Sequence, residues 1–203
     1  MGYIDILTSQ LMVLGFAGLV LVSTTIRAAF LYKRGKKHYL SLKGGAIPLA
    51  ALGLFAFVTG LYGQFTWPLP GAYNILYYDV FTLFGLLLLA FAWSVRSEME
   101  TQHVGLLGLL LGVFVIYYGY NAFVIGLSQA PIAVLGLYTL FGLSGILSYP
   151  MTIMLDRANA GMKNRWAGWI LMAAAFIILL TLGSLLALYI AYAAIPAHLM
   201  SPP

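Results

Sequence analysis

The chain has 203 residues, of which 63% are hydrophobic and 7% charged, with a formal net charge of +5 and no cysteine. A soluble domain carries about a quarter charged residues, so this composition excludes one and indicates a chain housed largely in a bilayer. The lack of cysteine excludes disulfides, thiolate metal sites and cysteine nucleophiles.

Six apolar runs follow one another, at residues 4–32, 44–65, 74–95, 104–127, 131–155 and 166–195. Each is long enough to cross about 30 Å of hydrocarbon at about 1.5 Å per residue, and without water to satisfy its backbone each must be helical. The expected fold is therefore all-α, a single polytopic bundle of six transmembrane helices with no separate soluble domain. The opening Met1-Gly2-Tyr3-Ile4-Asp5 has no basic region, so no cleavable signal peptide is expected. Ile6, where a hydroxyl residue would be needed, argues against myristoylation.

The first run carries Gln10 in one half, a candidate for interhelical hydrogen bonding, and Arg27 near its other end, where it can snorkel. Arg27, Lys33, Arg34, Lys36, Lys37 and Lys43 cluster at the first connection, Arg96 stands at the third, and Arg157, Lys163 and Arg165 at the fifth. These account for all ten basic residues. The positive-inside rule then predicts a cytoplasmic-membrane protein with both termini outside. The basic charge is read as a topology signal and a contact for lipid headgroups, not as a nucleic-acid footprint.

The second run opens near Pro48 and the fifth at Pro131, both expected in first helical turns, where a missing N–H costs little. The sequence from Pro48 to Phe55 is similar to that from Pro131 to Tyr138, which raises an inverted repeat of two three-helix halves. Trp67, Tyr73, Trp93 and Trp166 fall near predicted interfaces, as aromatic belts do. The fourth run carries Gly105, Gly108, Gly112, Gly119 and Gly126 close to one line, a stripe suited to close packing of another helix.

Polar side chains concentrate in the outer half. Tyr62 and Gln64 end the second run, Asn74, Tyr77, Tyr78 and Asp79 begin the third, and Tyr117, Tyr118, Tyr120 and Asn121 end the fourth. Asp79, expected on a face with Thr82, Leu86 and Trp93, has no basic residue on its side of the membrane. It must be hydrated, hydrogen-bonded, protonated or cation-bound. The candidate ligand or proton site is therefore Asp79, Asn121, Tyr117, Tyr78 and Gln64.

Other chemistry is disfavoured. Gly142-Leu143-Ser144-Gly145 resembles the serine motif of rhomboid proteases, but Ser144 lies about 20 Å along its helix from the depth of His198, by the ~1.5 Å rise. His38, His103 and His198 lie at or beyond the ends of the runs, where a bis-histidine haem would not be held. No cofactor is expected, with His38 and His103 the residues to which a haem or metal would fall. No nucleotide or metalloprotease motif is present.

Tyr77-Tyr78-Asp79 opening the third run, the glycine-rich fourth run ending Tyr117-Tyr118-Gly119-Tyr120-Asn121, and the short hairpin into Pro131 together resemble a largely archaeal family of multi-pass membrane proteins, domain of unknown function 981. The resemblance covers nearly the whole chain and implies no activity or site. The leading functional expectation is small-ligand, ion or proton handling through an outward-facing polar cavity. The alternative is a structural or accessory subunit of a larger membrane complex, for example a respiratory one, with membrane lipids as partners and a homo-oligomer or complex partner left open. An enzyme is the least favoured reading.

Overall fold

The computed structural model describes residues 6–34, 39–128, 130–162 and 168–200. They form helices α1 (Ile6–Lys33), α2 (Tyr39–Thr66), α3 (Ala72–Asn74), a π-helical turn (Ile75–Asp79), α4 (Val80–Arg96), α5 (Gln102–Val124), α6 (Pro131–Asn159) and α7 (Gly168–Met200). The turn joins α3 to α4 as one rod, leaving six helices long and apolar enough to cross a membrane. His38 and Trp166 lie outside the described residues, as does the side chain of His198.

The helices close into a ring in the order α1, α2, α4, α5, α6, α7, each packed on its two neighbours. The α5–α6 and α2–α4 seams are the most extensive and α4–α5 the sparsest. Small residues hold the seams, as expected where lipid removes the hydrophobic drive for helices to associate. Ala17, Ala56, Ser184 and Ala187 are fully buried, while Ile47, Phe65, Trp93, Ile132 and Ile170 face outward. On α5 the glycine stripe meets a second one on α6: a Cβ on Gly112 would lie 2.4 Å from the Gly142 carbonyl oxygen, and one on Gly145 2.7 Å from that of Gly108. Gly105 meets Thr152 and Gly119 meets Tyr138 on the same seam.

Gly126 does something else. It lies past the end of α5 at φ +64 with open space around it, and the Leu127 N–H reaches back to the Ala122 carbonyl at 3.0 Å. That is a Schellman stop, which needs the left-handed region that glycine adopts without penalty. The fourth apolar run is therefore longer than its helix. Pro48 also departs from expectation: it sits nine residues into α2, not in its first turn, because the helix begins in the polar segment ahead of the apolar run. The Pro48 ring faces the carbonyl four residues back, that of Gly44, and takes one N–H out of the helix ladder.

α4 ends in the same kind of stop, with Glu98 at φ +61 where glycine would be usual and the Met99 N–H on the Ser94 carbonyl at 2.9 Å. Glu98 reaches Lys43 at 2.8 Å, tying the start of α2 to the connection after α4. The left-handed backbone costs about 1–2 kcal/mol and an exposed ion pair returns at most about 1 kcal/mol. Glu98→Gly is thus expected to leave thermal stability within about 1 kcal/mol of the parent, on the stabilising side, as measured by melting in detergent.

Candidate functional site

At one end of the ring the chain passes from α2 to α3 through a short loop fastened by Asn74. This residue is buried; its Nδ2 donates to the Gly63 carbonyl (3.0 Å) and its Oδ1 accepts from the Leu69 N–H (3.3 Å). The Tyr73 hydroxyl donates to the Leu127 carbonyl beyond α5, and the Tyr73 ring stacks on Tyr77. The loop is thereby held against two other helix ends.

The π turn follows at once. Tyr78 is 1% exposed and its ring lies flat on Gly63, where a Cβ would come within 2.0 Å of it. The widened turn disturbs the regular ladder, and side chains serve its carbonyls: Tyr138 of α6 donates to Leu76 (2.6 Å) and Thr82 to Tyr78 (2.6 Å). Single π turns inside α-helices are frequent at functional sites. This one ends on Asp79.

Asp79 is half-buried between α2, α4 and α5. Gln64 Nε2 donates to its Oδ1 at 3.1 Å and the Tyr118 hydroxyl to its Oδ2 at 3.2 Å. Both partners are neutral, and no salt bridge to Asp79 exists among the described residues. The carboxyl group is therefore held by neutral protein donors with no counter-charge among the described residues, and each oxygen keeps a lone pair for a further donor or cation. The Tyr118 bond crosses the sparse α4–α5 seam.

The five residues singled out from the sequence separate into two groups. Gln64 and Asp79 are brought together, and Tyr78 supports them from below through Gly63. Tyr117 is 64% exposed, and Asn121 donates to the Tyr117 carbonyl at 2.8 Å on the outward face of α5; neither reaches Asp79. Tyr118, one residue and about 100° around the helix from Tyr117, takes that place. Asp79 shares a helix face with Thr82, Leu86 and Trp93, all within about 60° at ~100° per residue, and that face straddles the boundary: Thr82 is buried while the other two face outward.

Beneath this end the ring surrounds a space of about 930 Å³ that is partly open to the outside. Gln10, Tyr77 and Tyr138 line it near Asp79, Phe84 and Phe141 at mid-depth, and Lys33 and Trp169 at the basic end. Tyr77 and Tyr118 pack in the cluster that holds Tyr138, so the Asp79 network sits next to this end of the apolar chamber without lining it. The chamber walls are almost wholly apolar. Gln10, expected to bond between helices, is 4% exposed and its Nε2 has no hydrogen-bond partner.

The opposite end carries a structural site that the apolar runs do not reveal. Asp156, in the last turn of α6, accepts from the Thr101 N–H (2.9 Å), the Thr101 hydroxyl (2.9 Å) and the Gln102 N–H (2.8 Å), capping α5 from another helix. His103 beside it is exposed, 3.9 Å from Glu100. Among the described residues no three His, Cys, Asp or Glu side chains gather as metal ligands. Ser144 donates to the Leu140 carbonyl at 2.8 Å.

A family model described as a protein of unknown function (DUF981) matches residues 1–201. The chain belongs to that family. No curated protein and no solved structure matches it. In this DUF981 chain the features that bear on function are the Asp79 network and the chamber beside it.

Proposed function

We propose that this protein is a multi-pass protein of the cytoplasmic membrane that binds a small cation or exchanges a proton at Asp79 on its outer face. The distribution of basic residues supports the orientation: Lys33, Lys43, Arg96 and Arg157 all belong to the end opposite Asp79, which the positive-inside rule assigns to the cytoplasm. The observation that carries the reading is the carboxylate itself, half-buried and hydrogen-bonded by Gln64 and Tyr118 without a counter-charge. An ionisable group at such a depth is expensive to keep and is commonly tied to ion or proton handling. Its position at the loosest seam of the ring gives a small ligand a route between α4 and α5.

Asp79→Asn keeps the shape and removes the charge. In proteoliposomes given opposed sodium, potassium and pH gradients and an internal pH dye, the parent should show cation- or proton-dependent flux, or pH-dependent cation binding, that the variant abolishes. Tyr118→Phe should weaken it by roughly ten- to a hundredfold, the value of about 1.5–3 kcal/mol for a hydrogen bond to a charged group. Equal behaviour of the parent and Asp79→Asn would remove the proposal.

A further inference from the structure

The chamber beside the Asp79 network supports a second site, separate from Asp79. Its lining on α1 alone runs from Leu7 to Lys33, which at about 1.5 Å per residue is roughly 39 Å, enough to span the hydrocarbon layer. A volume of about 930 Å³ drawn out over that length makes a narrow slot, not a round pocket. The volume itself is at the upper end of the ~300–1,000 Å³ typical of ligand pockets, whose usual pattern is apolar walls with a few placed polar groups.

The walls fit that pattern. Phe84, Leu111, Phe141, Met151 and Ile177 make the middle of the slot apolar. At its Asp79 end stands Gln10, whose amide nitrogen is, among the described residues, the one buried side-chain nitrogen or oxygen without a hydrogen-bond partner. A buried donor left unmade is costly, whereas an oxygen brought into the slot would complete it. The last torsion of a glutamine is broad, so the amide can turn to meet such an oxygen without leaving its rotamer well.

We propose that the slot binds one long-chain lipophile bearing an oxygen acceptor at one end, with the chain along the ring axis and the oxygen accepting from Gln10 Nε2. A carbonyl-ended chain satisfies both the apolar walls and the single donor; a plain hydrocarbon chain satisfies the walls alone. The test compares the two. Protein in nanodiscs is equilibrated with hexadecan-2-one or with hexadecane, and the bound excess over empty nanodiscs is measured by gas chromatography.

The parent should take up about one ketone per chain and hold it roughly three- to tenfold more tightly than the alkane, the range for one neutral hydrogen bond. Gln10→Leu should erase that preference and keep the alkane. Ala173→Phe, which fills the slot from α7, should reduce uptake of both. Equal affinity of the parent for ketone and alkane would reduce the slot to a space filled by any acyl chain and overturn the proposal, and so would no saturable uptake of either. That comparison needs no variant, so a misfolded Gln10→Leu does not protect it. Asp79→Asn should leave the ketone preference unchanged, which separates this site from the cation reading.

Discussion

Replacing Gly112 by alanine is expected to destabilise the bundle by about 2 kcal/mol or more, and replacing it by leucine to prevent assembly. A Cβ at this position would stand 2.4 Å from the Gly142 oxygen, 2.8 Å from the Ile146 nitrogen and 3.1 Å from the Gly145 carbonyl carbon. All three are backbone atoms, so no side chain can swing aside. Alanine gains about 1 kcal/mol in helix propensity over glycine, but overpacking costs about 1–3 kcal/mol and more where backbones must separate. Here they must, and the movement would open the neighbouring Gly108–Gly145 contact as well. Gly136→Ala, on the same seam's partner helix, is the control. Its Cβ would meet nothing nearer than Leu186 Cδ2 at 3.7 Å, so propensity alone acts and stability should hold or rise slightly. Thermal unfolding in detergent reads both. Equal melting of Gly112→Ala and Gly136→Ala would mean that α5 and α6 are not in backbone contact.

The six helices were legible because each rests on a run of some twenty apolar residues, a signal set by bilayer thickness and independent of neighbours. Their ends were less so, because ends depend on single residues and on tertiary partners. Gly126 reads equally well as part of a packing stripe or as a stop, and which it is follows from where the α5 hydrogen bonds run out. Asp156 lies one residue past an apolar run, and nothing in its surroundings marks it as the cap of a helix that begins 54 residues earlier.

The candidate site was legible in its anchor and not in its shell. Asp79 stands out in sequence as a carboxylate at membrane depth, and Gln64 as a polar residue at the same level on the preceding helix. Choosing between Tyr117 and Tyr118 requires the rotation of α5 relative to α4, which adjacent tyrosines do not encode. The π turn was hidden too: Ile75-Leu76-Tyr77-Tyr78-Asp79 contains no glycine or proline to announce it. It arises where the Tyr78 ring must settle on Gly63 while Tyr138 reaches the Leu76 carbonyl. The chamber lies further still from the sequence, since it is a property of six helices closing into a ring with no helix at the centre.

Asp156→Ala should cost about 3–4 kcal/mol and should act first on the start of α5. The carboxylate takes two backbone N–H groups, of Thr101 and Gln102, and the Thr101 hydroxyl. Hydrogen bonds to a charged group contribute about 1.5–3 kcal/mol each when measured singly, and a negative charge at a helix N-terminus about 0.3–1 kcal/mol. These do not add in full, because water can reach part of the opened end. Thr101 is 2% exposed, however, so its own N–H stays buried and unserved once the carboxylate is gone. Asp156→Asn keeps one acceptor and loses the charge, and should fall between the parent and alanine. Thr101→Val removes one hydroxyl bond and leaves both backbone bonds intact, for about 1 kcal/mol. Thermal melting should therefore rank the variants Thr101→Val, Asp156→Asn, Asp156→Ala in increasing loss, with amide hydrogen exchange rising first at residues 101–105. A loss for Asp156→Ala no larger than that for Thr101→Val would show that the α5 amides find other partners, and that α6 does not cap α5.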